Sequence, residues 1–172
     1  MKYLALCALL FSHTAFTKEI SKDSEISKVF STFFESIENK DKDSFLNLFH
    51  PINVSWVGVY SEESIKILRS RYGKDVFKPK DVTSTPTEFI DNIIKSPFYI
   101  TEKYKNVSVI EDSNIATVTF DYSYFLGDFK SNWGQESWLL VNTDNGWKIS
   151  AVNFSMTYST KPWPKPPKAN DE

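Results

Sequence analysis

The spacing of apolar and polar positions divides the chain into a helical first half and a strand-rich second half. Apolar residues recur every three or four positions over Ser24–Asn39, which predicts one long amphipathic helix. Asp41 is placed to cap a shorter second helix, and Pro51 ends it because proline cannot continue a helix. The β-branched and aromatic run Val54–Tyr60 then predicts a strand.

Two further helices are predicted before the pattern changes. Ser61 caps the first of them, with two glutamates in its first turn, and Gly73 ends it. The run Lys74–Ser84 is expected to be a loop, with room for a short strand. Thr85-Pro86-Thr87-Glu88 is a capping box with proline in the first helical position, and it starts a helix that stops before Pro97.

From Phe98 onward the apolar period becomes two, which is typical of strands with one buried face. Asn145-Gly146 suits the positive backbone angles of a tight hairpin turn between the last two strands. The pattern predicts four strands in an antiparallel meander: Ile100–Ile110, Ile115–Leu126, Asn132–Asn142 and Trp147–Tyr158. Helices followed by a meander indicate the α+β class.

Composition indicates one folded domain, which we assign to residues 20–158. The 172 residues are 41% apolar and 16% aromatic, which is enough for a sizeable core. The net charge is −2, from 20 basic and 22 acidic residues, and no basic run is longer than a pair. The electrostatic footprint of a nucleic-acid-binding protein is therefore missing, and no nucleic-acid partner is predicted.

The first residues resemble an export signal, assigned to residues 1–17. Lys2 precedes the apolar run Tyr3–Phe11, which is too short to span a bilayer. We expect a periplasmic or secreted mature chain that is not held in a membrane. Cys7 is the one cysteine, so removal of the signal would also exclude disulfides and thiol chemistry. An N-terminus that simply packs on the core is the alternative.

The end of the chain, residues 159–172, has a different composition. Lys161–Lys168 is rich in proline and is expected to be extended and solvated. A role as ligand of a proline-binding groove is the alternative.

The order of the predicted elements resembles that of the nuclear transport factor 2-like superfamily, which includes SnoaL-like proteins, ketosteroid isomerase and scytalone dehydratase. Three segments carry the resemblance: Phe33–Phe49 matches the opening helices, Ala116–Tyr122 the long strand and Gly134–Ile149 the closing hairpin. The resemblance implies a cone-shaped, cystatin-like fold, in which a strongly bent antiparallel sheet wraps around the N-terminal helices and encloses an apolar cavity. It also implies a homodimer formed through the outer sheet face. We expect an exported bacterial member.

The residues expected for isomerase chemistry are mostly absent. Where the resemblance places a carboxylate base, the chain has Ser55-Trp56-Val57-Gly58, and where it places a tyrosine donor the chain has Phe33 or Phe34. These departures argue against isomerase activity. The mature chain has one histidine, His50, whose position suits a helix end. A single histidine excludes a histidine-rich metal site, and we predict no metal and no other cofactor.

Glu136 is the candidate catalytic residue, since it aligns with an acidic donor of the isomerase. Burial beside Trp138 would raise its pKa and make it an acid near neutral pH. The alternative is a structural glutamate that accepts hydrogen bonds. Six aromatic residues are candidate cavity walls, although each would also suit a plain core: Trp56, Tyr60, Tyr104, Tyr122, Tyr124 and Trp138.

Three functions follow from these observations. The favoured one is a module that binds a small apolar or aromatic ligand in the cone, because rings are abundant and catalytic partners are missing. The second is a lyase or isomerase that uses Glu136 with a tyrosine. The third is a dimeric protein-interaction module. The ligand, any catalysis and a role of Ser61–Ser84 as a lid over the cone stay open.

Overall fold

The computed structural model describes residues 24–73 and 81–167. The predicted signal peptide with Cys7, most of the loop Lys74–Ser84 and the last residues of the tail lie outside the described residues.

Each predicted helix forms, and the last three begin at the predicted caps. The helices are α1 Glu25–Asn39, α2 Lys42–Asn47, α3 Glu62–Tyr72 and α4 Pro86–Lys95. In every case the cap side chain accepts a hydrogen bond from the backbone N–H three residues later; the four caps are Ser24, Asp41, Ser61 and Thr85. These bonds satisfy donors that a helix start leaves free, so the boundaries are set locally. None of the helices in this part of the chain is long and apolar enough to cross a membrane.

The strands form one six-stranded sheet in the order β2-β1-β6-β5-β4-β3. Their bounds are β1 Ser55–Tyr60, β2 Asp81–Thr83, β3 Ile100–Glu111, β4 Ile115–Leu126, β5 Phe129–Thr143 and β6 Gly146–Tyr158. The meander β3 to β6 is antiparallel, as predicted. Two features go beyond the prediction: β1 pairs with β6 in parallel, and the short β2 pairs with β1 antiparallel.

The sheet curves around α1. This helix contacts both β3, at one edge of the sheet, and β6, which is separated from β3 by the two strands β4 and β5. A flat sheet would hold these two strands about 14 Å apart, so the contact of one helix with both fits a sheet that bends around it. Register shifts next to Lys105, Tyr124 and Leu139 mark irregularities of the kind that bend and twist strands. The predicted α+β fold with a bent sheet is confirmed.

The core between α1 and the sheet is built largely of aromatic rings. Phe33 of α1 is 1% exposed, and its ring centroid lies 4.7 Å from that of Trp138. Phe30 packs edge-on against Phe120 at 5.1 Å. These rings fill the end of the cone that α1 occupies, and the space left at the other end is the candidate site.

Candidate functional site

A cavity of about 490 Å³ lies between the inner face of the sheet, α4 and the start of the tail. This volume is in the range of small-molecule sites in proteins. Aromatic side chains form much of its lining: Phe33, Trp56, Tyr60, Phe89, Tyr122, Tyr124, Phe154, Tyr158 and Trp163. Two carboxylic acids, Glu102 and Glu136, also line it.

Strand register explains why both acids reach the same cavity. Glu102 of β3 pairs with Tyr124 of β4, and Glu136 of β5 pairs with Phe154 of β6. Tyr122 precedes Tyr124 by two residues and shares its face. The inner face therefore presents acids and tyrosines from four adjacent strands to one space.

Glu136 is buried, with 6% of its surface exposed. Its Oε1 accepts a hydrogen bond of 2.6 Å from the indole Nε1 of Trp138. Burial raises the pKa of Glu136 to about 7, although the hydrogen bond from Trp138 acts in the opposite direction. The carboxyl group can therefore both hold and release a proton near neutral pH.

Glu102 is the site residue that the sequence analysis missed. The residue as a whole keeps some solvent contact, but its Oε1 is buried and has no hydrogen-bond partner among the described residues. Burial, and then the charge of Glu136, raise the pKa of Glu102 well above its ordinary value. The two acids disfavour each other's ionised form, so the pair binds protons more tightly than two isolated carboxyl groups would.

The tyrosines of the cavity stay protonated and can donate hydrogen bonds. Burial is the main cause that raises the pKa of Tyr122, Tyr124 and Tyr158, and the charge of Glu102 adds to it for the first two. The hydroxyl of Tyr122 donates to the carbonyl oxygen of Ser155 at 2.9 Å. Tyr158 lies beside Tyr60, with their ring centroids 6.0 Å apart.

The structure brings most of the predicted site residues together. Glu136 and four of the six predicted aromatic residues line the cavity: Trp56, Tyr60, Tyr122 and Tyr124.

Trp138 and Tyr104 lie elsewhere, which corrects the expectation for both. Trp138 is fully buried among the rings of α1, behind the cavity lining, where it donates its hydrogen bond to Glu136. Tyr104 packs on Phe30 and Phe34 at 4.7 and 4.6 Å, because α1 fills that end of the cone. Its side chain is 47% exposed.

The tail is expected to be solvated, but its first residues contact the folded domain. The guanidinium of Arg71 donates to the carbonyl oxygens of Ser159 and Lys161 at 3.2 and 3.1 Å. The ring of Trp163 then lies 5.9 Å from that of Tyr158 and forms part of the cavity lining. The tail thus contributes an aromatic wall at the mouth of the cavity.

Histidine chemistry and metal binding have no support in the cavity. His50 lies on a separate surface groove, where its Nδ1 is 3.1 Å from the carbonyl oxygen of Ile52. Within residues 24–73 and 81–167, no three His, Cys, Asp or Glu residues cluster as a metal site would require.

Sequence comparison and structure comparison give different results for this chain. No protein-family model matches it, and no curated protein matches it either. Solved structures do match. A nuclear transport factor 2-like protein from Cytophaga hutchinsonii is 12% identical, with a TM-score of 0.57, over 80% of this chain and 100% of that one. A nuclear transport factor 2-like protein with a cystatin-like fold, from Novosphingobium aromaticivorans, is 11% identical, with a TM-score of 0.56, over 77% and 79%.

A third solved structure, named as a candidate dehydratase of the same family, comes from Streptomyces avermitilis. It is 15% identical to this chain, with a TM-score of 0.51, over 78% of this chain and 95% of that one. Identities this low show the fold alone. The chain has the nuclear transport factor 2-like, cystatin-like fold that the resemblance implied.

Proposed function

We propose that this nuclear transport factor 2-like fold serves to bind a small, largely apolar molecule with an aromatic or similar ring. The observation that carries the proposal is the cavity of about 490 Å³, whose lining is dominated by aromatic side chains. An aromatic wall gains contact area and ring-stacking energy from a flat apolar ligand. The few polar groups of the lining would then fix the orientation of the bound molecule.

The test is the binding of naphthylethanol, a neutral aromatic probe, followed by isothermal titration calorimetry. Asn92 is an exposed residue of α4 that lines the cavity, so Asn92→Trp should obstruct the space without disturbing the core. Lys95→Trp is the matched control, because Lys95 is exposed on the same helix outside the lining. We expect the Asn92 variant to weaken binding about tenfold or more and the Lys95 variant to leave it unchanged. Failure of the unmodified protein to bind, or equal loss in both variants, would contradict the proposal.

A second candidate function is a lyase or isomerase that uses Glu136 with a tyrosine. The observation that favours it is the pKa of Glu136, about 7, which suits a general acid or base. The structural likeness to a protein named as a candidate dehydratase agrees with this chemistry. Glu136→Gln would abolish an activity of this kind, and full activity in that variant would exclude this mechanism.

The third candidate is a homodimer joined through the outer face of the sheet. Val59 and Leu139 support it, because they are apolar, point away from the core and are 39% and 48% exposed. Export to the periplasm or the cell exterior also remains a proposal. It is supported by the sequence of residues 1–17, and cell fractionation with N-terminal sequencing would test it.

A further inference from the structure

We infer that the cavity selects a ligand bearing an organic ammonium group, which is held by the carboxyl groups of Glu102 and Glu136 while its apolar part contacts the aromatic walls. This inference rests on the proposed binding function and names the chemical class of the ligand.

The first step is that the two acids lack a positive counter-charge. No lysine, arginine or histidine occurs among the described residues that line the cavity. Arg71 lies near the mouth, but its guanidinium is directed to the carbonyl oxygens of Ser159 and Lys161. The ion pairs of Glu25 with Lys28 and of Asp91 with Lys42 lie outside the cavity.

The second step is that one carboxylate oxygen is left without a partner. Oε1 of Glu102 is buried and accepts no hydrogen bond from the described residues. A buried acceptor without a donor is unfavourable, and natural proteins seldom keep one without a reason. Oε1 of Glu136, in contrast, is bonded to the Trp138 indole. The pair therefore has room for a ligand that donates hydrogen bonds.

The third step concerns the charge that remains when the acids share a proton. The other titratable groups that face the pair across the cavity are tyrosines: Tyr60 of β1, Tyr122 and Tyr124 of β4, and Tyr158 of β6. The pKa of each of these tyrosines is raised, so all four stay neutral at physiological pH. Once one acid is ionised, the site carries an uncompensated negative charge in a medium of low polarity. A cation would neutralise that charge.

The fourth step is that aromatic faces also attract cations. The ring of Tyr158 stacks on that of Tyr60 at a centroid distance of 6.0 Å, and Trp163 packs against Tyr158 at 5.9 Å with its ring tilted. An ammonium group that passes or rests near such faces gains cation–π attraction. A carboxylate ligand would be repelled by the acids, and a neutral alcohol would leave the negative charge without compensation.

The experiment compares three probes that share a naphthyl ring and differ in the polar group: naphthylethylamine, naphthylethanol and naphthylacetate. Calorimetry at about pH 8, above the pKa of about 7 for Glu136, should show the amine binding at least about tenfold more tightly than the alcohol. The acetate should bind weakest. At about pH 5 the pair takes up its second proton, so the amine should lose most of its advantage while the alcohol is unaffected.

Variants assign the preference to the two acids. The double variant Glu102→Gln/Glu136→Gln should abolish the preference for the amine over the alcohol, because it removes both ionisable carboxyl groups, whereas either single variant leaves one acid that can still ionise. Glu111→Gln is the matched control, because Glu111 is exposed at the end of β3, outside the lining. If a variant fails to fold, the comparison of the three probes at the two pH values on the unmodified protein still tests whether the cavity prefers an ammonium group.

The outcomes separate the two proposals. If alcohol and amine bind equally well at about pH 8, or if the double Gln variant keeps the preference for the amine, the cation inference is wrong and the binding function stands. Tighter binding of the acetate also overturns the inference. If no probe binds, both proposals fail.

Discussion

At the scale of single residues, the burial of Glu102 and Glu136 is costly for the fold. Burial raises the pKa of both acids, which means that the folded state disfavours their charged forms. Neither carboxyl group has a basic partner among the described lining residues to offset that cost. Groups kept under such conditions commonly belong to a functional site, although structural networks also perturb pKa values.

The acids predict how stability depends on pH. Glu136 has a pKa of about 7 in the folded chain against an ordinary value of 4.5, so the folded state binds its proton more tightly. The stabilisation is complete below about pH 4.5 and is lost as the pH rises through about 7. We expect the free energy of unfolding, measured with urea, to fall by a few kcal/mol from about pH 5 to about pH 8, since a tenfold change in proton affinity is worth about 1.4 kcal/mol.

Glu136→Gln should flatten this dependence and should raise stability at about pH 8, because glutamine can still accept the hydrogen bond of Trp138. Glu111→Gln, at an exposed position, should keep the dependence of the unmodified chain. If the free energy of unfolding of Glu136→Gln depends on pH as that of the unmodified chain does, the Glu136 carboxyl group does not cause the dependence.

The two acids also differ in how visible they are in the sequence. Glu136 stands two residues from Trp138, and the apolar alternation around it predicts an inner face. Glu102 lies between the polar residues Thr101 and Lys103, which suggest an exposed segment. Its inward orientation could have been predicted only from Ile100, an apolar residue two positions earlier on the same face of the strand, which is buried. The burial of Glu102 comes from the curvature of the sheet, which no local pattern encodes.

At the scale of elements, β5 and β6 approach each other unusually closely at Gly134. A Cβ added there would lie 2.0 Å from the carbonyl oxygen of Ser155. The carbonyl oxygen of Ser155 also accepts the hydrogen bond of Tyr122, and the Oγ of Ser155 accepts one from the backbone N–H of Gln135. The glycine thus allows the backbone arrangement that holds a cavity tyrosine in place.

Gly134→Ala should therefore destabilise the protein by about 1–3 kcal/mol, the usual cost of forcing atoms into a filled space. The obstacle is backbone, so the chain cannot relieve the clash by turning a side chain. Ser137→Ala, on the same strand and with only partial burial, is the control and should change stability by less than about 0.5 kcal/mol. Unfolding midpoints in urea measure both, and equal stability of the two variants would contradict the predicted clash.

The elements predicted correctly are those whose signals are local. Ser61 and Thr85 cap helices through hydrogen bonds that span three residues, and Asn145-Gly146 lies at the predicted hairpin. The parallel pairing of β1 with β6 joins segments about 95 residues apart, so it depends on the assembled sheet. The same holds for Tyr104, whose place under α1 was not visible from its strand alone.

The contact of the tail with the cavity gives a third prediction. Trp163→Ala removes an aromatic wall at the mouth, and naphthylethylamine should bind several-fold more weakly and dissociate faster because less of it is covered. Lys165→Ala is the control, since Lys165 is exposed and lies outside the lining. Calorimetry and stopped-flow fluorescence measure both quantities. Unchanged affinity and dissociation in Trp163→Ala would show that the tail does not take part in binding.

At the scale of the whole molecule, the two faces of the sheet are suited to different tasks. The inner face carries the core and the cavity. The outer face combines polar side chains such as Asn153 and Ser155 with the exposed apolar Val59 and Leu139. Val59 and Leu139 lie on different strands, and apolar side chains exposed on one face of a sheet are available for contact with another protein.

If that partner is a second copy of the chain, a charged residue introduced on the outer face should dissociate the dimer. Burying an unpaired carboxylate in an interface is strongly unfavourable, so Leu139→Asp should convert a dimer to a monomer in light scattering after size exclusion. Ile52→Asp is the control: Ile52 is 68% exposed but lies in a bend outside the sheet. A monomeric unmodified chain would contradict the homodimer, and a dimeric Leu139 variant would place the interface elsewhere. Because Leu139 lies across the sheet from the cavity, the monomeric variant should still bind naphthylethylamine with unchanged affinity; a loss of binding would mean that dimerisation completes the site.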